Sequence, residues 1–265
     1  MNNLKITLPE ISYIIPAHNR INFLKKTISS IYAQINTDPE IIVIDDNSQS
    51  IIEKKLNKLY PKIIFLRNNK NMGPSFSRNK GLEIASADIV CFLDSDDTLN
   101  PKFSKEMIKQ VKLRKLPILC ASKVLGESNS LLFFKIINFF RNIIIFYLYY
   151  MNHKKLPEKF FFIASPSRIA MPKAVAKEFL FNESMRQCED WEICLRIMNK
   201  YAIFLYPKKL VNFRFHSGSE SNIQRKNSGL ACYTEMIKKL SKKHINSLPI
   251  IAFRAYIALL KRINE

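Results

Sequence analysis

Short β-branched runs and helix-spaced apolar residues alternate through the first hundred positions, and three of the four runs stop at a polar cluster. Residues 11–15 read as a buried strand ending at Pro16, and residues 41–44 as a second that stops at Asp45-Asp46-Asn47-Ser48. Residues 63–66 and 89–93 complete the set, the last ending at Asp94-Ser95-Asp96-Asp97. Between them, Ile21, Leu24, Ile28, Ile31 and Ile35 recur every three or four positions, which is one helix face. Ile51, Ile52, Leu56 and Leu59 suggest a short helix. Asn71-Met72-Gly73-Pro74 is a turn that places Pro74 at the first position of another. Asn100-Pro101 caps the next. Alternation of this kind predicts an α/β fold with a mainly parallel sheet covered on both faces.

The second half is less regular. Residues 131–151 are apolar and aromatic but interrupted by Lys135, Asn138, Arg141 and Asn142. A spanning helix needs about 20 largely uncharged apolar residues, so an interfacial or core-packed helical hairpin is the expectation. Residues 188–200 read as a helix with acids in its first turn, where they suit the dipole. Residues 203–206 and 210–215 read as two strands. From about residue 226 onward two basic amphipathic helices are expected, with Ile251, Ala255, Ala258, Leu259 and Arg262 at helical spacing. No internal repeat or low-complexity linker divides the chain.

Composition excludes several functions. The five glycines form no GxGxxG and no GxxxxGK[ST], which removes a standard dinucleotide site and a Walker-type phosphate loop. Cys91, Cys120, Cys188, Cys194 and Cys232 contain no CxxC pair, which argues against a disulfide framework and a four-cysteine zinc site. The N-terminus carries no apolar secretory segment, so a cytoplasmic location is expected. The net charge of +20 favours anionic partners, whether nucleic acid, a bilayer surface or a phosphorylated substrate, although a solvated lysine-rich face is equally compatible.

In an open parallel sheet, ligands sit beyond the carboxyl ends of the strands. Pro16-Ala17-His18-Asn19, Asp45-Asp46-Asn47-Ser48 and Asp94-Ser95-Asp96-Asp97 all fall there. A carboxylate after the second strand can accept hydrogen bonds from a base or ribose. Closely spaced aspartates after the fourth can hold a hard divalent cation that bridges a diphosphate. Taken singly, the first acidic cluster is an ordinary Asx turn and the second a capping loop. In this order, each after an apolar strand, they point to a nucleotide-diphosphate site.

The stretch ISYIIPAHNR, IIVIDDNS, NMGPSFSRNKGLEIASADIVCFLDSDD resembles the inverting glycosyltransferases of family 2, and the resemblance covers roughly residues 11–219. It implies the GT-A fold, a Rossmann-like, mainly parallel sheet, in a domain of residues 1–220 followed by a basic helical tail, 221–265. The nucleotide half would be about 1–100 and the acceptor half about 101–220, with 131–151 as an insertion. By match, Pro16, Asn19, Asp45 and Asp46 surround the nucleobase and ribose, and Arg78 of Arg78-Asn79-Lys80-Gly81 lies against the nucleotide. Within the Asp-x-Asp element, Asp97 is expected at the metal (Mn²⁺ or Mg²⁺), Asp96 at the sugar-nucleotide and metal, and Asp94 at metal or ribose. Gln187-Cys188-Glu189-Asp190-Trp191 resembles the Glu-Asp element whose aspartate is the catalytic base. Inversion needs one carboxylate to deprotonate an acceptor hydroxyl as it attacks the anomeric carbon; Asp190 is the first choice and Glu189 the second. Phe213-Arg214-Phe215-His216 is similar to the strand after the catalytic helix, whose histidine often joins the metal. Trp191 offers an acceptor platform or a core residue.

A Gln-x-x-Arg-Trp element is missing, which favours transfer of one sugar over polymerisation. Two departures, Glu178-Phe179-Leu180-Phe181 in place of Gly-Gly-Phe and the apolar insertion, fall where acceptor choice is set. The resemblance therefore implies a nucleotide-diphosphate sugar donor and a glycan or lipid-linked acceptor in bacterial surface polysaccharide or lipopolysaccharide assembly. The basic tail and residues 131–151 suggest peripheral attachment to the anionic inner face of the cell membrane. A nucleotidyltransferase would need a glycine- and lysine-rich triphosphate loop near the N-terminus, which is lacking. A nucleic-acid-binding protein would leave the aspartate-rich rim unexplained.

Overall fold

A computed structural model describes residues 9–126, 131–150, 165–185 and 189–215. Its centre is an eight-stranded sheet in the order β3-β2-β1-β4-β7-β6-β8-β5. Strands β1 (Ser12–Ala17), β2 (Glu40–Asp45), β3 (Ile64–Arg67) and β4 (Ile89–Phe92) are parallel neighbours. Beyond β4 the sheet is mixed. β7 (Ile169–Pro172) runs antiparallel to both β4 and β6 (Ile118–Gly126), while β6 is parallel to β8 (Phe204–Phe215). β5 (Thr98–Leu99) closes the far edge antiparallel to β8. Four of the seven pairings are parallel, as expected of a mainly parallel sheet, and the antiparallel ones all lie beyond β4.

Period-two alternation sorts each strand between two cores. Tyr13 and Ile15 point to one face, under α1 (Ile21–Tyr32), α2 (Ile52–Leu56) and α4 (Phe103–Arg114). Ile14, Ile42 and Ile44 point to the other, under α3 (Pro74–Ile84), α6 (Lys173–Glu178) and α7 (Glu189–Lys200). Gly81 lets α3 sit close to the sheet. A Cβ built there would lie 2.5 Å from Ile14 Cγ2 and 2.8 Å from Ile44 Cδ1. This close approach sets the depth at which the preceding turn of α3 delivers Arg78.

Two sequence expectations change. Residues 131–151 form no hairpin: α5 (Leu131–Tyr150) is one helix. It covers an edge of β6, whose pairing with β7 stops at Leu119. There Asn138 and Asn142, one turn apart, take over the unpaired strand groups. Both amides donate to the Ser122 carbonyl, and Asn142 Oδ1 accepts from the Ser122 N–H. The two late strands are also one, β8, because a bulge opposite residues 120–122 absorbs the Pro207 interruption without ending the pairing. Among the described residues no helix is long and apolar enough to cross a membrane.

Candidate active site

The parallel topology brings the loops after β1, β2 and β4 to one rim, and they are tied together before any ligand arrives. Asn19 and Asn47 adopt left-handed backbone (φ 55° and 59°), which asparagine tolerates better than branched residues. Asn19 N–H donates to Ser48 Oγ at 2.9 Å, and its Oδ1 accepts from Gln49 N–H at 2.8 Å.

Asp45 and Asp46 are 3% and 4% exposed, so neither presents a free carboxylate. Asp45 accepts from the N–H groups of Ser48 and Ile52 and pairs with Arg67 at the end of β3. Burial acts to raise its pKa, but those hydrogen bonds outweigh burial and hold the carboxyl below its ordinary range. Asp46 accepts from Asn68 Nδ2, Met72 N–H and Gly73 N–H, all at 2.8 Å, which fixes the turn entering α3. Gly73 there has φ 90°, a conformation that favours glycine. Asp45 and Asp46 thus shape the loops around the expected nucleotide position. Pro16, paired in register with Ile44, is part of the same strand-end frame.

Arg78 does the connecting. It is 3% exposed, donates to Asp94 Oδ1 at 2.8 Å and to Glu189 Oε1 at 2.9 Å, and lies over the Phe181 ring. One guanidinium therefore joins the loop after β4 to the first turn of α7, where its partner Glu189 is 111 residues from Arg78 in sequence. Its neighbour Asn79 binds the backbone of Phe181 in both directions and the Glu183 carboxylate. Two consecutive helix residues thus clamp the second half of the site onto the first. Burial opposes the charge on Arg78, but the two carboxylates more than restore it and raise its pKa.

In the Asp-x-Asp loop the three aspartates are not equivalent. The side chain of Asp94 is 28% exposed and that of Asp96 14%, the latter paired with Arg20 at 3.1 Å. Asp97, expected at the metal, has no exposed surface. Its Oδ1 accepts from Arg214 N–H in β8, and its carbonyl accepts from Thr27 Oγ1 at 2.6 Å. Burial first, then Asp96 and Asp94, push its carboxyl well above the ordinary range. Asp97 sits beneath the rim, bracing the loop against α1 and β8.

Asp190 is half-buried on the first turn of α7, its Oδ1 accepting from Trp191 N–H at 2.9 Å. A crevice lined by Phe92, Ile169, Met171, Phe181, Ile193 and Ile197 abuts it. Burial, and after it the Glu189 carboxylate, push the Asp190 carboxyl up to about 7, with Arg78 pulling the other way. Glu189 is committed to Arg78, so the two adjacent acids have separate environments. Trp191 is 8% exposed and belongs to the core, which leaves little ring face for a sugar. His216 and the tail, 221–265, lie outside the described residues.

A metal carried by a diphosphate would suit this rim. Hard divalent ions of the Mg²⁺ type use one or two carboxylates plus phosphate oxygens and water, and Asp94 and Asp96 both keep exposed carboxylate surface. An all-protein cage does not fit, because among the described residues no three Asp, Glu, His or Cys side chains are grouped to hold an ion. Sequence reading missed Arg20, Arg67 and Asn79. Arg20 and Arg67 had a signal, a cation at a strand end or just beyond one beside acidic loops. Asn79 stands in the Arg78-Asn79-Lys80-Gly81 pattern, where the resemblance assigns a role to Arg78 only.

The sequence pattern of Glycosyl transferase family 2 matches residues 12–179. A Campylobacter jejuni GalNAc(5)-diNAcBac-PP-undecaprenol beta-1,3-glucosyltransferase is 43% identical over 97 residues, covering 35% of this chain and 31% of that protein. An uncharacterized glycosyltransferase of Rickettsia felis is 29% identical over 235 residues, 80% of this chain and 34% of that one. The matches thus span about a third of the length of these relatives. Among solved structures, S. aureus TarS 1-349 in complex with UDP-GlcNAc superposes with a TM-score of 0.61 at 19% identity, covering 79% of this chain and 60% of that chain. That likeness shows a shared fold.

Proposed function

The chain belongs to glycosyl transferase family 2 and has its GT-A fold, and on that premise we propose that it moves one sugar from a nucleotide-diphosphate donor to a saccharide acceptor with inversion. One observation carries the reading. The buried Arg78 guanidinium holds Asp94, on the donor-side loop, and Glu189, beside the base candidate, in a single ion-pair cluster.

Asp190 acts as general base. A carboxyl near 7 is ionised in about half the molecules at neutral pH and is a far better proton acceptor than an ordinary aspartate. It takes the proton from an acceptor hydroxyl as that oxygen forms its bond to the anomeric carbon. The bond from that carbon to the diphosphate oxygen breaks on the opposite face, and its electron pair leaves with the nucleotide. Glu189, ion-paired to Arg78, holds that guanidinium in place beside the base. Asp94 and Asp96 would hold the Mn²⁺ or Mg²⁺ that arrives with the donor. When bound, the ion offsets charge developing on the departing diphosphate.

UDP-sugars are the first donors to test, because the structural neighbour was solved with UDP-GlcNAc. The Campylobacter relative's name refers to an undecaprenol-linked substrate, which supports a glycan or lipid-linked acceptor, surface-polysaccharide assembly and work at the inner face of a membrane. Purified protein is to be given UDP-, GDP- and dTDP-sugars with Mn²⁺ and saccharide acceptors. Release of nucleoside diphosphate, with kcat/KM rising through a midpoint near pH 7, is expected. Release of pyrophosphate instead would indicate nucleotidyl transfer and overturn the proposal.

A further inference from the structure

Helix α5 has one face fastened to the protein and an opposite face with nothing upon it among the described residues. Asn138, Asn142, Ile145 and Leu148 turn inward, and Tyr149 packs edge-on against Phe204. On the other side Ile136, Phe139, Phe140, Ile143, Tyr147 and Tyr150 are 43–73% exposed. At 3.6 residues per turn these six fall within an arc of about 100° and run for about 21 Å. Isolated exposed apolar residues are ordinary, but a continuous stripe marks a surface meant to be covered.

We propose that this stripe seats on an anionic lipid bilayer, with α5 lying in the boundary between headgroups and acyl chains. Charge complementarity selects that occupant. The helix contains no acidic residue, exposed Lys135 lies beside the stripe, and the chain as a whole carries +20. Two copies with that charge repel one another, whereas a surface of acidic lipids attracts it. Aromatic side chains suit the headgroup level. Insertion across the bilayer is ruled out for this helix by the asparagine face bound to β6 and by its insufficient apolarity. The inference gives residues to the membrane-facing part of the proposed function and rests on that reading only for its biological purpose.

The test is flotation of the full chain with vesicles of phosphatidylglycerol and phosphatidylcholine, against phosphatidylcholine alone. The comparison protein is Phe139→Ser/Phe140→Ser/Tyr147→Ser, checked for an unchanged unfolding transition. The wild type floats with the acidic vesicles, weakens in about 0.5 M NaCl through screening, and the triple variant binds at least about tenfold less. Nucleoside diphosphate release with a water-soluble acceptor stays the same in both, so loss of that activity bears on the transferase reading and leaves the lipid surface to the flotation result. Three results overturn the lipid surface. These are wild type that stays with the soluble fraction at low salt, a variant that floats as well as wild type, and a wild-type dimer that the substitutions dissociate.

Discussion

Replacing Asp190 by Asn is expected to abolish transfer and, at alkaline pH, to make the protein more stable. Its carboxyl rises from 3.8 to about 7 on folding. Three units at 1.36 kcal/mol each amount to about 4 kcal/mol, and solvent screening of a half-buried group reduces this to about 2 kcal/mol. The sign follows from proton counting. Between pH 4 and 7 the folded chain holds a proton that the unfolded chain has lost, so stability falls as pH rises and levels off above 7. Asparagine is neutral throughout, and its Oδ1 can still accept from Trp191 N–H. Urea unfolding at pH 8 is therefore expected to favour Asp190→Asn by about 2 kcal/mol, or roughly 4–8 °C in melting temperature. The gap closes near pH 4, where wild type is neutral too. Donor binding by calorimetry is expected to stay within about threefold while turnover drops by at least about 100-fold. A variant less stable than wild type at pH 8, or an equal gap at pH 4 and pH 8, would refute the assignment of a strained, desolvated base.

Substitutions at four further positions probe the frame around that base candidate. Arg78→Met removes the cation shared by Asp94 and Glu189 and the one charge that lowers the Asp190 pKa. The midpoint of the pH–rate profile is expected to move up by about one unit, with Arg78→Lys returning it part of the way; an unmoved midpoint would reduce Arg78 to a structural tie. Gly81→Ala drives a methyl into Ile14 and Ile44, and overpacking of about 1–3 kcal/mol exceeds the gain of about 1 kcal/mol in helix propensity, which chemical denaturation will read directly. Asp96→Asn is expected to raise the Mn²⁺ concentration for half-maximal nucleotide release at least about tenfold, whereas Asp97→Asn, beneath the rim, leaves it within about threefold; the reverse order would put Asp97 on the ion after all.

Local sequence patterns carried the first half of the fold well, because each βα step is specified by a short apolar run, a helical stripe and a turn that follow one another. Residues 11–15, 41–44, 63–66 and 89–93 correspond to β1–β4 within a residue or two. The mixed half was not legible in that way. Whether β7 runs with or against β4 depends on pairings between residues such as Val90 and Met171, 81 positions apart. α5 read as a hairpin because its asparagines looked like interruptions, when they are the groups that finish the edge of β6. The same distinction governs the site. Sequence placed polar clusters at the rim, yet it could not say which carboxylates would be consumed in building it.

That division has a physical logic. Asp45, Asp46 and Asp97 are buried and accept hydrogen bonds from backbone N–H groups, so they help to hold the rim loops in place. Asp94, Asp96 and Glu189 are partly exposed and each faces an arginine. Without those cations the acids would repel one another; at Asp97 burial first, and then Asp96 and Asp94, push the carboxyl well above the ordinary range. Among the partly exposed acids, Asp190 differs from Asp94, Asp96 and Glu189 in having no arginine paired with it in the described contacts, and its carboxyl is pushed up to about 7, by burial first. This arrangement places arginines against Asp94, Asp96 and Glu189 and none against the base candidate. It also leaves a single group whose proton affinity suits accepting a proton from a hydroxyl and releasing it again at neutral pH.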